Sequence, residues 1–157
     1  MTPWLRGRVW LAVLAYLVML PILRGWHAGY AGRKNIEETL SLLHWLPFYY
    51  HYFTTEQNAL ASLLNVAMSY APVGVLVWAM RLRPSVRAGQ GRPLGYSALA
   101  AAVLAALMEA GGLITTGLRP DPTNVLIAAV AAIFAQRICE WVARIGPNVL
   151  AANRIVR

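Results

Sequence analysis

The sequence predicts an all-α protein, a polytopic membrane bundle of about four transmembrane helices. Three observations carry this. Of the 157 residues, 59% are hydrophobic and only 13% charged, whereas soluble domains carry about 25% charged residues. Mean hydropathy is +0.51, an excess of apolar surface that one core in water could not absorb. The apolar residues fall into four stretches, of which the second and third reach the roughly 20 residues needed to cross a bilayer; the first has 15, and the core of the fourth, Val125 to Ala135, is short unless Arg137 snorkels and lets the helix extend to about Val142.

The first stretch runs from Val9 to Leu23 between Arg8 and Arg24, with Pro21 near its end. Trp4 and Trp26 are suited to the two interfaces, so an uncleaved span over about 9–26 is the preferred reading. A positively charged start followed by a short apolar run also has the form of a signal peptide, which is the alternative. The second span is expected over about 55–80. Thr54 with Gln57 three residues on forms a capping box, and Pro72 and Gly74 are tolerated inside a span where other protein packs beside them. The third, over about 95–118, is rich in alanine and holds one acid, Glu109, followed by Gly111 and Gly112. The fourth, over about 122–142, opens on Asp121-Pro122, an N-cap followed by proline at the first helical position. Gly146-Pro147 is expected to stop a helix, which leaves Arg144 to Arg157 as a basic interfacial tail. Residues 1–157 read as one membrane domain. Cys139 has no second cysteine to pair with and reads as a packing residue.

Net charge is +8. The arginines sit at the ends of apolar runs, which fits anionic lipid headgroups better than nucleic acid. They also predict orientation. With four spans and a cytoplasmic N-terminus, Arg6, Arg8, Arg81, Arg83, Arg87, Arg92, Arg137, Arg144, Arg154 and Arg157 lie inside. Only Arg24, Arg33, Lys34 and Arg119 lie outside. Both termini are then cytoplasmic by the positive-inside rule.

Residues 27–54 form the larger outward segment. Asn35 is placed to cap a short helix from Ile36 to Trp45. An aromatic run follows, with Trp45, Tyr49, Tyr50 and Tyr52 as its outward surface. It reads as an aromatic belt at headgroup level or as a stacking surface for a sugar or lipid-linked headgroup. His44 and His51 have no metal-ligand spacing and no cysteine beside them, so neither a metal nor a cofactor is expected.

Glu109 is the most informative residue. An ionised carboxylate in hydrocarbon is costly, so it should face the bundle and find a partner. By helical rise it lies about 15 Å from Arg119, and Asn65 lies at a comparable depth on the second helix. Asn65 or Arg119 are the expected donors. Glu109, Gly112 and Thr116 share one face, and inward of them Ala102, Ala105 and Ala106 let helices approach closely. Ala105 and Ala131 are expected at the contact between the third and fourth helices. Two readings follow: a glutamate that only fixes helix packing, or a polar pocket lined by Asn65, Glu109, Thr116, Arg119, Asp121 and Asn124.

The stretch from Glu109 through Gly111-Gly112, Arg119, Asp121 and Asn124 resembles the signature of the VanZ-like family. That signature has a glutamate in one span, an arginine in the outer turn and aspartates opening the next span. Asn65, with Pro72 and Gly74, is similar to the family's asparagine and proline-x-glycine element. The resemblance covers roughly residues 58 to 140. Gly112 stands where the family usually has glutamine, Asn124 where it has aspartate, and Ala128 where it has asparagine. The resemblance implies a bacterial cell-envelope protein of the inner membrane, in a family known for glycopeptide (teicoplanin) resistance.

Three functions are consistent with these residues. One is a non-enzymatic membrane protein that binds an envelope amphiphile or a lipoglycopeptide at its outward polar pocket. Another is a membrane enzyme on a lipid-linked phosphate or sugar substrate, with Glu109 or Asp121 as acid or base and Arg119 holding the phosphate. It lacks a clear nucleophile or metal set, so catalysis is the weaker expectation. The third is a structural or assembly subunit of an envelope polysaccharide system. Expected partners are membrane lipids, a lipid-linked envelope precursor or lipoglycopeptide, and other envelope membrane proteins, with no nucleic acid.

Overall fold

The structure, a computed structural model, describes residues 3–26, 29, 36–37, 41, 48–49, 54–80, 95–115 and 120–155. Among them are four α-helices and no strand: α1 (Pro3–Leu23), α2 (Glu56–Met80), α3 (Gly95–Leu113) and α4 (Thr123–Ile155). The apolar parts of α2, α3 and α4 are long enough to cross a membrane, and that of α1, Gly7–Leu23, is shorter.

The packing is inverted relative to a soluble protein. Small residues fill the centre: Ala101, Ala105, Ala128 and Ala132 are 0% exposed. Large apolar side chains point out, with Met68 75%, Leu99 62%, Val130 66% and Phe134 67% exposed. Each such side chain left in water forgoes roughly 1.5–3 kcal/mol, so these outer faces require lipid. The protein is therefore a helical membrane bundle, and its surface contacts lipid.

On α2 the buried residues Val66, Tyr70, Val73 and Val77 recur at intervals of three and four, one helical face. That face meets α4, the most extensive contact in the bundle. At its centre Gly74 lies against the backbone of Ala132, so closely that a Cβ there would overlap the Ala132 carbonyl oxygen. Further along the same pair, Ala67 shares an apolar groove with Leu126, Val130 and Ala131. Ala131 is thus half-buried on the α2 side, and Ala132 is the fully buried alanine of α4. The tight contact expected only between α3 and α4 is shared by α2 and α4. The reason is that glycine, with no side chain, allows a closer approach than alanine.

Helix limits differ from the sequence reading in four places. α1 begins at Pro3, not near Val9, because arginine is a good helix former and Arg6 and Arg8 interrupt hydropathy without interrupting helix. Proline is favoured in a first turn. The first helical bond of α2 runs from Ala59 N–H to the Thr55 carbonyl, so the cap is Thr55 rather than Thr54. α3 ends at Leu113 rather than 118, where Ile114 and Thr115 donate three residues back to Gly111 and Gly112 and tighten the last turn. α4 continues through Gly146 and Pro147 to Ile155. Pro147 removes one intrahelical hydrogen bond, that to the Ala143 carbonyl, and Ala143 is exposed in the last turn of the apolar part, which ends at Ile145, where water can satisfy it. Of the helix expected from Ile36 to Trp45, Ile36, Glu37 and Ser41 are described and helical; the rest lies outside the described residues.

Candidate functional site

The site lies where the C-terminal ends of α1 and α3 meet the N-terminal end of α4. α1 stops at Gly25, whose φ of 81° is left-handed and suits glycine at a helix C-terminus. Arg24 N–H donates to the Leu20 carbonyl at 2.9 Å and Gly25 N–H to that of Ile22 at 3.1 Å. The turn sends Arg24 inward and lays the Trp26 indole over Gly111, where a Cβ would strike the ring. Tyr16, two turns earlier, donates its hydroxyl to the Ser69 carbonyl of α2 at 2.7 Å. Leu20 between them is fully buried.

Glu109 receives donors from two other parts of the chain. Its Oε1 accepts from the Arg24 guanidinium, forming an ion pair, and from Asn124 Nδ2 at 2.8 Å. Its Oε2 accepts from the Asp121 backbone N–H at 2.9 Å. Asp121 also caps α4, with Oδ1 accepting from Thr123 N–H at 2.9 Å. The Glu109 carboxylate therefore occupies the positive end of the α4 dipole and satisfies a donor that no intrahelical carbonyl reaches. The Thr123 hydroxyl accepts from Phe48 N–H at 2.8 Å, which docks that residue on the same helix end.

Beside the ion pair is a partly enclosed cavity of about 230 Å³, lined by Leu23, Arg24, Trp26, Asn65, Met108, Glu109, Gly112 and Pro120. Two buried donors near it have no hydrogen-bond partner among the described residues, Trp26 Nε1 and the Tyr70 hydroxyl. Tyr70 is fully buried and within electrostatic reach of both Arg24 and Glu109. The arrangement is rich in donors and supplies one charge of each sign. Three of the about four acceptor positions of the Glu109 carboxylate are filled by protein donors.

Of the residues singled out from sequence, Asn65 and Glu109 face the cavity together. Asp121 and Asn124 stand behind it as partners of Glu109. Asn65 lies on the wall, and among the described residues no hydrogen bond joins it to Glu109. Thr116 and Arg119 lie outside the described residues, as do Trp45, Tyr50 and Tyr52; Tyr49 is described and half-buried. Sequence reasoning placed Arg24 only at a span boundary and Trp26 only in an interface. The signal that could have found Arg24 is charge balance. A lone intramembrane acid near one end of α3 requires a cation at the same depth, and the end of the first span supplies one.

Compared with known proteins, the chain matches no family model, and no curated protein or solved structure is significantly similar to it.

Proposed function

We propose that the chain is a VanZ-like protein of the bacterial inner membrane that binds the headgroup of an envelope amphiphile or lipoglycopeptide, without catalysis. The observation that carries this is a donor-rich cavity of about 230 Å³ beside a partly buried ion pair. The resemblance from Glu109 through Asn124 supports the same location, because its glutamate lines the cavity and its Asp121 and Asn124 hold that glutamate. Catalysis is disfavoured because protein donors already fill three of the about four acceptor positions of the Glu109 carboxylate and lower its basicity. The same three bonds favour a second reading, a structural subunit in which Glu109 only fastens helices.

Binding separates the two. Teicoplanin added to the purified protein in neutral detergent is expected to raise its melting temperature. Asn65→Phe, which fills the cavity from its exposed wall, is expected to abolish that rise and leave the melting temperature of the free protein near wild type. An equal rise in wild type and Asn65→Phe would remove the cavity from the reading.

In this proposal the cavity faces outward and both termini are cytoplasmic, by the arginine distribution. Cysteines introduced at Gly29 and at Gly91, in the otherwise cysteine-free Cys139→Ala background, test it with a membrane-impermeant thiol reagent on intact cells. Gly29→Cys is expected to be labelled and Gly91→Cys to be protected. The reverse pattern would invert the protein.

A further inference from the structure

The unpartnered donors around the cavity identify the chemistry of its occupant. Buried polar groups are nearly always paired, and leaving one unpaired costs about 1–3 kcal/mol. Here Trp26 Nε1 and the Tyr70 hydroxyl are both buried and without a hydrogen-bond partner among the described residues, and Tyr70 lies within electrostatic reach of the Arg24–Glu109 ion pair. Trp26 and Arg24 line the cavity itself, as does Asn65. An indole N–H can only donate, and a guanidinium can only donate. The missing group must therefore supply acceptor oxygens.

Charge decides which acceptor. The Arg24 side chain is 20% exposed and that of Glu109 11%, so both are screened little by solvent. With the pair formed, their charges cancel and the cavity has little attraction for an anion. With the pair opened, Arg24 offers a planar fork of donors suited to phosphate or carboxylate oxygens. Opening it leaves Glu109 still fastened by the Asp121 N–H and the Asn124 amide. The carboxylate thus has a resting place on α4 that does not need Arg24.

We infer that the cavity binds the anionic, phosphate-type headgroup of a membrane lipid through Arg24 and Trp26, and that Glu109 is its internal competitor for Arg24. Glu109 sets the affinity by occupying the guanidinium when the site is empty. The inference rests on the binding-site reading above and adds the ligand's charge and the competition. Its signature is a gain of binding on loss of a site residue: Glu109→Gln keeps one acceptor oxygen for the α4 end and removes the charge that holds Arg24. Releasing Arg24 restores a charge-assisted hydrogen bond to the ligand, which corresponds to about tenfold or more in affinity.

Native mass spectrometry of the full chain in neutral detergent, titrated separately with dioleoyl phosphatidic acid, dioleoylglycerol and inorganic phosphate, tests this. Phosphatidic acid is expected to bind wild type, to bind Glu109→Gln about tenfold more tightly, and to lose specific binding in Arg24→Met and in the double variant. Dioleoylglycerol is expected to bind all four proteins alike. Inorganic phosphate that displaces phosphatidic acid at millimolar concentration would show that a free anion, not a lipid, is the ligand, and would overturn the lipid assignment. Equal or weaker phosphatidic acid binding by Glu109→Gln, folded in detergent, would overturn the competition while leaving the cavity as a site. If Glu109→Gln does not fold, Glu109→Asp replaces it: the shorter acid cannot reach both α1 and α4, and unchanged affinity there overturns the competition equally. Undiminished binding by Arg24→Met would overturn the anion assignment; if Asn65→Phe also binds undiminished, the binding-site reading fails with it.

Discussion

Glu109→Leu is expected to destabilise the protein by about 3 kcal/mol or more, because it removes the acceptor of a partly buried ion pair and leaves the partner charge uncompensated. Three donors lose their partner at once: the Arg24 guanidinium, the Asp121 N–H and the Asn124 amide. The first comes from the end of α1 and the other two from the start of α4, so the loss loosens both together. Glu109→Gln keeps one acceptor oxygen for the start of α4 but still removes the counter-charge of Arg24, so it should cost less than leucine, about 1.5–3 kcal/mol, one hydrogen bond to a charged group. Unfolding of the variants in detergent, followed by circular dichroism, measures both. A Glu109→Leu protein as stable as wild type would mean that the acid neither fastens the helices nor forms the site.

Gly74→Leu is expected to be comparably damaging for a steric reason. Even the Cβ of an alanine at this position would overlap the Ala132 carbonyl oxygen. The obstructing atom is helix backbone, which cannot rotate aside as a flexible side chain would. Overpacking typically costs about 1–3 kcal/mol, and a leucine here should reach or exceed the top of that range by parting α2 from α4. Gly95→Ala is the matched control, since a Cβ there meets nothing within 4 Å. Size-exclusion profiles and melting temperatures should show Gly74→Leu aggregated or strongly destabilised and Gly95→Ala unchanged. Equal stability of the two would place the α2–α4 contact elsewhere.

The spans were legible because their apolar runs exceed anything a soluble domain needs, and the start of α4 was legible because Asp121-Pro122 is a local cap. The limits of α1 and α4 were not. Arg6 and Arg8 lower hydropathy without opposing helix, and Pro147 opposes helix only where its freed carbonyl has no other donor. Glu109 was legible as a residue that must be compensated, since the cost of an intramembrane charge is a one-residue argument. Its partner was not, because the Arg24–Glu109 pair joins positions 85 residues apart. Any of several cations near the ends of spans would have satisfied the same rule. The Gly74–Ala132 approach was hidden for a related reason. Pro72 and Gly74 marked a place where another helix packs, but the pattern of alanines pointed equally to α3 and α4 as the close pair.

Asn65 shows where depth arithmetic stops. Rise per residue placed it level with Glu109, and both line one cavity. Rise says nothing of lateral distance, and the positions next to Glu109 are taken by Arg24 and the α4 N-terminus.

The Arg24–Glu109 bond is what joins the end of α1 to α3 at the site. A double-mutant cycle with Arg24→Met, Glu109→Gln and the pair measures it as unfolding free energy in detergent. The two side chains are expected to couple by about 1–3 kcal/mol, the range for residues in direct polar contact. The double variant should then lose clearly less stability than the sum of the single variants. Strict additivity would contradict the account, because it would mean that Arg24 and Glu109 do not meet in the folded membrane protein.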